Sequence, residues 1–122
     1  MTVPERAIVL FAHGSRDPLW RRPVEAVAER VRELDPAVRV CCAYLELMEP
    51  DLRSAVRGLV AAGAGGISVL PMFLGVGRHA RDDLPALVAA LALEYPQIRF
   101  HLRPAVGEDR RVVALMAEIA LE

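Results

Sequence analysis

Residues 6–18 read RAIVLFAHGSRDP, a nearly continuous apolar run that ends abruptly in a polar, glycine-containing turn. An apolar run without polar alternation is typical of a strand buried on both faces, as in a parallel sheet covered by helices. Residues 18–34 then place apolar side chains at helical spacing and end at Asp35-Pro36, which predicts a helix. This stretch therefore predicts a strand followed by a helix that packs back on the sheet.

The same unit recurs along the whole chain. Further strands are predicted at residues 38–45, 67–70 and 98–102, and further helices carry apolar stripes within residues 52–60, 84–91 and 112–119. We expect Gly63, Gly65 and Gly66 to end the second helix. The order βαβαβαβα predicts an α/β fold over residues 1–122. This is a single three-layer domain, with a four-stranded parallel sheet, right-handed crossovers and helices on both faces.

Composition narrows the class of protein. The 122 residues are 54% hydrophobic and carry a net charge of −1, unlike the basic surface of a nucleic-acid-binding protein. Apolar stretches fall short of the ~20 residues of a membrane span. The N-terminus lacks the layout of a signal peptide, which predicts a cytoplasmic protein. Adjacent strand residues point to opposite faces, so Cys41 and Cys42 are expected to be reduced core thiols.

Three potential metal ligands, His13, Glu46 and His79, lie 33 residues apart, about the length of one strand-plus-helix unit. Each closes or follows a predicted strand, so all three are expected at the carboxyl edge of the sheet, where such folds bind ligands. Two imidazoles and a carboxylate suit divalent Co, Ni, Fe or Zn and leave coordination positions open. His101 could reach the same edge, although an ordinary strand-end histidine is the favoured interpretation.

Two of the turns add candidate ligand contacts. The first turn offers backbone N–H groups, Ser15 and Arg16 to an anion. The third is an apolar, glycine-rich loop that would let a large flat ligand approach the backbone, and its candidates are Phe73, Leu74, Gly75, Gly77 and Arg78. Each residue alone has an ordinary structural explanation as a turn, core or solvent-exposed residue.

Taken together, these segments resemble the class II chelatases of tetrapyrrole synthesis, in particular the short CbiX type. The resemblance rests on residues 13–18 (HGSRDP), Leu45-Glu46 before Pro50, and residues 71–74 (PMFL) followed by Gly77, His79, Asp83, Leu84 and Pro85. It implies insertion of cobalt, or alternatively iron or nickel as in the SirB and CfbA types, into sirohydrochlorin. It further implies that His13 and His79 handle the metal with Glu46 as acidic partner.

The resemblance also implies a homodimer, because longer relatives duplicate this unit, and no permanently bound cofactor beyond the metal substrate. Metal insertion removes two pyrrole protons, a general-base task suited to histidine. The arginines Arg16, Arg78 and Arg81 could meet the substrate's carboxylates.

A second possible function is that of a non-catalytic tetrapyrrole or metal carrier. A phosphohistidine enzyme is disfavoured, since that pattern has Arg immediately before the histidine and here Ala12 stands there.

Overall fold

The computed structural model describes residues 5–122, and within that range the side chains of Glu5 and His79 lie outside the described residues. The predicted order of alternating strands and helices is confirmed. The strands are β1 (Glu5–Ala12), β2 (Arg39–Tyr44), β3 (Ala64–Pro71) and β4 (Arg99–Leu102). The helices are α1 (Arg22–Leu34), α2 (Leu52–Ala61), α3 (Arg78–Glu94) and α4 (Arg110–Leu121).

All strand pairs are parallel, and the order across the sheet is β2-β1-β3-β4. The chain moves outward from β1 to β2, then crosses back over β1 to reach β3 and β4. The carboxyl ends of β1 and β3 therefore flank the topological switch point, where open α/β sheets form their ligand crevice. Strand β1 lies inside the sheet with both faces covered, as its apolar sequence predicted.

The two faces of the sheet carry separate cores. On one face, Val9 and Val69 pack with side chains of α2 and α3, among them Val56 and Leu91. On the other face, Leu10, Ala12, Val40 and Tyr44 pack with Val24 and Ala28 of α1. Successive side chains of β1, such as Val9 and Leu10, point to opposite faces and pack in different cores. The strand therefore needs apolar residues at nearly every position.

Two predicted boundaries are corrected. The first helix was expected over residues 18–34, but Pro18–Arg21 form a 3-10 turn capped by Asp17, and α1 begins at Arg22. Because Pro23 lacks an N–H group, it fits only the first turn of an α-helix. Of the three glycines expected to end α2, only Gly63, with φ of 100°, follows the helix, whereas Gly65 and Gly66 belong to β3.

The cysteines behave as the strand pattern predicted. Both are free, Cys41 packs on the α2–α3 side and Cys42 packs on the α1 side. Burial raises the pKa of the Cys41 thiol to about 11 and also raises that of Cys42, so both are protonated near neutral pH. In the part of the chain that the structure describes, no helix is long and apolar enough to cross a membrane.

Candidate active site

His13 follows the last residue of β1 and lies at the switch point of the sheet. Its side chain is exposed, and its ring lies against that of Phe73, with centroids 4.6 Å apart and ring planes at 37°. Phe73 is itself buried and meets Phe11 edge to face at 6.1 Å. The imidazole is therefore supported by a fixed aromatic ring while remaining accessible to a ligand.

The loop that carries Phe73 is tied to β1 and to the segment after β4. The Met72 N–H donates to the Phe11 carbonyl oxygen at 2.7 Å, which continues the β1–β3 ladder past the end of β3. The Gly107 N–H donates to the Phe73 carbonyl oxygen at 2.9 Å. These two backbone bonds hold the ring of Phe73 under the imidazole.

Glu46 is brought beside His13 through the backbone. The Leu45 N–H donates to the Ala12 carbonyl oxygen at 2.9 Å, and the Glu46 N–H donates to that of His13 at 3.1 Å. Gly14 permits this approach, because it has φ of 95° and a Cβ there would lie 1.8 Å from the Glu46 carbonyl oxygen. The Glu46 side chain is exposed. The turns after β1 and β2 therefore form one bonded unit.

His79 is the second residue of α3, so its backbone lies in the helix turn that follows the β3 loop. Its side chain lies outside the described residues. Gly77 caps the helix with extended backbone, and the exposed Arg78 begins it. A Cβ at Gly75 or Gly77 would meet nothing within 4 Å, so this loop borders open space.

The remaining predicted contact residues line the same edge. Ser15 accepts a hydrogen bond from the Asp17 N–H at 3.1 Å, which stabilises the turn after His13. Arg16 is exposed, and Leu74 is 71% exposed at the tip of the β3 loop. Leu47, just after Glu46, is also exposed and has a positive φ of 65°, which is uncommon for a residue other than glycine. The turns at this edge therefore expose both charged and apolar side chains.

Among the side chains that the structure describes, no three of His, Cys, Asp and Glu form a group able to hold a metal ion. The trio His13, Glu46 and His79 includes one side chain, that of His79, that lies outside the described residues. His101 does not reach the edge, since it pairs with Ser68, and Ser68 with Ile8. It lies about 16 Å below His13 along the strands, at roughly 3.3 Å per residue.

Two features of this edge could not be predicted from the sequence. One is Gly107, where a Cβ would lie 2.0 Å from the Leu74 carbonyl oxygen. The other is an aromatic group in which Trp20 meets Tyr44 edge to face at 6.3 Å and the Arg21 guanidinium lies 5.7 Å from the Tyr44 ring centre. A cavity of about 320 Å³ opens beside Arg21 and Tyr44. Neither feature has a local sequence signal, because both depend on contacts between separate turns.

Comparison with known proteins gives the family. The CbiX family model matches residues 7–122. The chain is 39% identical over 82 residues to the sirohydrochlorin cobaltochelatase of Methanopyrus kandleri, covering 67% of this chain and 57% of that protein. It is 37% identical over 140 residues to that of Methanocaldococcus jannaschii, covering 93% and 96%.

A solved structure agrees with these sequence matches. The sirohydrochlorin chelatase SirB from Bacillus subtilis subspecies spizizenii, in complex with cobalt, superposes with a TM-score of 0.80 at 30% identity. The match covers 96% of this chain and 50% of SirB, so the chain spans only about half the length of that relative and of the Methanopyrus protein. With the fold and nearly the full length matched, this chain belongs to the CbiX family.

Proposed function

We propose that this chain inserts a divalent metal ion, cobalt in the first place, into sirohydrochlorin during tetrapyrrole synthesis of the cobalamin type. The observation that carries the proposal is the exposed imidazole of His13, held on Phe73 at the switch-point crevice beside Glu46. The names of the cobaltochelatase relatives and the cobalt complex of SirB support the choice of reaction and metal. Iron and nickel are the alternative metal substrates.

The chemistry requires a proton acceptor and a weak metal site. The free macrocycle gives up two pyrrole N–H protons and gains one M²⁺, so two protons must leave as the metal enters. In the proposal, His13 and His79 bind the incoming ion through their unprotonated ring nitrogens. Each nitrogen accepts one of the two pyrrole protons once the ion has left it for the macrocycle, and Glu46 balances the charge. The ion is substrate, so few protein ligands and open positions favour its transfer to the macrocycle. No other cofactor is permanently bound.

The rim of the crevice suits a flat molecule that bears many carboxylates. Leu74 offers apolar contact, and the glycines at 75 and 77 leave room for the ligand, whereas Phe73 is buried and supports the imidazole instead of facing a ligand. Arg16 is exposed in the turn after β1 and Arg78 is exposed at the start of α3, while Ser15 stabilises the first turn. We assign the arginines to peripheral carboxylates because guanidinium groups bind them in a bidentate manner.

We further propose that residues 1–122 act as one chelatase domain in a cytoplasmic homodimer without nucleic-acid or membrane partners. A crevice formed by one copy leaves the macrocycle open on one side, and a second copy could close it. The exposed apolar side chains at this edge, among them Leu19, Leu45, Leu47 and Leu74, support an assembly.

The test is turnover with purified protein, sirohydrochlorin and Co²⁺, followed by the change in the absorption spectrum of the macrocycle. Insertion many times faster than the reaction without protein, with several products per chain, supports an enzyme. One product per chain at most would indicate a carrier and contradict the proposal. Parallel assays with Fe²⁺ and Ni²⁺ on the same preparation rank the metals, and a faster rate with either would overturn the assignment of cobalt.

A further inference from the structure

The cavity of about 320 Å³ beside Arg21 and Tyr44 lies one strand outward from His13, between α1 and the edge strand β2. Tyr44, the last residue of β2, forms part of its wall and pairs in register with Ala12, which directly precedes His13. Neighbouring strands are about 4.8 Å apart, so the cavity borders the proposed crevice. Among the residues that the structure describes, its wall includes none of the proposed site residues.

Two buried polar atoms at this cavity, the Tyr44 hydroxyl oxygen and Nε of Arg21, have no hydrogen-bond partner among the described residues. Tyr44 is only 2% exposed, and the Cys42 thiol beside its hydroxyl is a weak hydrogen-bonding group. The Arg21 guanidinium lies 5.7 Å from the centre of the Tyr44 ring. A buried donor without an acceptor is costly, and a guanidinium N–H can only donate. Oxygen acceptors placed in the cavity would satisfy both groups.

The other polar groups of the wall decide which anion is suitable. Arg32 is already engaged, because its Nη2 donates to a backbone carbonyl oxygen of β2 at 2.9 Å. Glu25, Glu29 and Glu49 are exposed at the cavity, and Glu25 approaches only Nη1 of Arg21, at 3.9 Å. Two guanidinium groups and three carboxylates give the wall no excess of positive charge. A multiply charged anion such as phosphate is therefore disfavoured, whereas a single carboxylate can bind through directed hydrogen bonds.

We propose that this cavity binds a carboxylate group through the Tyr44 hydroxyl and the Arg21 guanidinium. A carboxylate has two oxygens, so it can accept from both donors at once, and its hydrogen bonds to a guanidinium are stronger than those between neutral groups. The carboxylate belongs either to a small organic acid or to an acidic side chain of the macrocycle held at His13. The second source rests on the proposed function, and the first does not.

Trp20, the single tryptophan of the chain, reports on the cavity, because its ring meets that of Tyr44 edge to face at 6.3 Å. Titration with sodium acetate, against sodium chloride at equal ionic strength, should give a saturable change in fluorescence, and sodium phosphate should give none. Tyr44→Phe and Arg21→Gln should each weaken acetate binding about tenfold or more. Arg22→Gln is the matched control, because it removes the same charge from the next, exposed position and should leave binding unchanged.

Tyr44→Phe also separates a binding role from a structural one. The hydroxyl makes no hydrogen bond to another described residue, so its removal should leave the free energy of unfolding unchanged or slightly raised. Urea unfolding measures this value, and a clear loss of stability would overturn the role of Tyr44. Arg21→Gln changes a half-buried residue of the turn before α1 and tests the cavity independently.

Competition identifies the source of the carboxylate. If it belongs to the macrocycle, acetate should compete with metal-free sirohydrochlorin, and Tyr44→Phe and Arg21→Gln should raise KM about tenfold with kcat unchanged. If it belongs to a free organic acid, acetate should bind without competing, and both variants should keep the KM of the unmodified chain.

Three results would overturn the proposal. One is the absence of a saturable acetate signal together with an unchanged KM in both variants. Another is acetate binding that Tyr44→Phe and Arg21→Gln leave intact, or that Arg22→Gln weakens equally. The third is phosphate binding as tight as that of acetate. A chain that binds acetate in this manner but inserts no metal would contradict the proposed function alone, because the titration needs no macrocycle.

Discussion

The rings of His13 and Phe73 lie 4.6 Å apart, although one follows β1 and the other follows β3. This contact joins the two strand ends that flank the switch point. It also places the exposed imidazole against a buried aromatic ring. Aromatic pairs of this kind contribute about 0.5–1.5 kcal/mol beyond area burial. The contact is therefore strong enough to bias the position of the proposed catalytic group without fixing it rigidly.

Replacing His13 should abolish most insertion activity without unfolding the protein. The side chain is exposed, so His13→Ala removes no core packing, whereas loss of a general base typically lowers kcat by about 10²-fold or more. From the motif we expect the same of His79→Ala. Steady-state cobalt insertion measures the effect, and His101→Ala is the control, because His101 lies well below the edge. Near-normal turnover by a folded double variant, His13→Ala with His79→Ala, would exclude the proposed chemistry.

Removing either exposed arginine should mainly affect substrate binding. Arg16→Ala or Arg78→Ala should raise the KM for sirohydrochlorin with little change in kcat, because contacts to peripheral carboxylates are similar in the ground and transition states. Saturation curves at two salt concentrations test this, since charge contacts at the surface weaken with salt. Arg57→Ala, in α2, is the control. A fall in kcat with unchanged KM would assign these arginines to the chemical step instead.

Gly14→Ala should lower stability and activity together. At φ of 95° the new Cβ would lie 1.8 Å from the Glu46 carbonyl oxygen, so the two turns would have to separate. We expect a loss of about 1–3 kcal/mol in the free energy of unfolding. Gly58→Ala is the matched control, because its Cβ would meet nothing within 4 Å in α2 and should stabilise by about 0.5–1 kcal/mol. Urea unfolding gives both values, and equal effects at the two glycines would refute the argument.

Gly107→Ala should displace the Phe73 ring from His13, although Gly107 itself is not one of the proposed site residues. The added Cβ would lie 2.0 Å from the Leu74 carbonyl oxygen and push the loop that holds Phe73. Nuclear magnetic resonance of the His13 ring protons reports this movement, because the Phe73 ring shifts them. We expect the His13 signals to move in the same direction as in Phe73→Leu, together with reduced insertion. Unchanged His13 signals in a folded Gly107→Ala variant would show that Gly107 does not position the ring.

Asp51 should make the free energy of unfolding fall as the pH is lowered into the acid range. Its carboxylate caps α2 by accepting the Ser54 N–H at 2.8 Å, and bonding to Ser54 lowers the pKa of Asp51 below its usual value. A lowered folded-state pKa means stability that is present above about pH 4 and is lost as pH falls through the folded pKa. Asp51→Asn should keep the cap but lose that dependence, and Asp51→Ala should cost about 1 kcal/mol above about pH 4 and less in acid, where the unmodified carboxylate becomes protonated. Urea unfolding between pH 2 and 7 measures the free energy of unfolding of each variant. The same pH dependence in Asp51→Asn as in the unmodified chain would contradict this account.

The order of strands and helices could be predicted from the sequence because each element has its own short-range pattern of apolar residues. The apolar run of β1, the helical spacing before Asp35 and the strand ends before His13 and Glu46 all rest on short-range periodicity. Equal spacing along the chain also predicts a shared edge, since parallel strands place equivalent points together. That part of the candidate site needed no knowledge of distances.

Tertiary structure alone decided what surrounds that edge. The contact of Phe73 with His13, the approach of Gly107 to Leu74 and the exclusion of His101 depend on strand order and register. These are set by packing between distant segments, which no local pattern records. The exposed stripe of α4 makes the same point, since its sequence predicts a buried helix and the fold of one chain leaves it uncovered. Periodicity determines which side of a helix is apolar, whereas tertiary packing determines whether that side is covered.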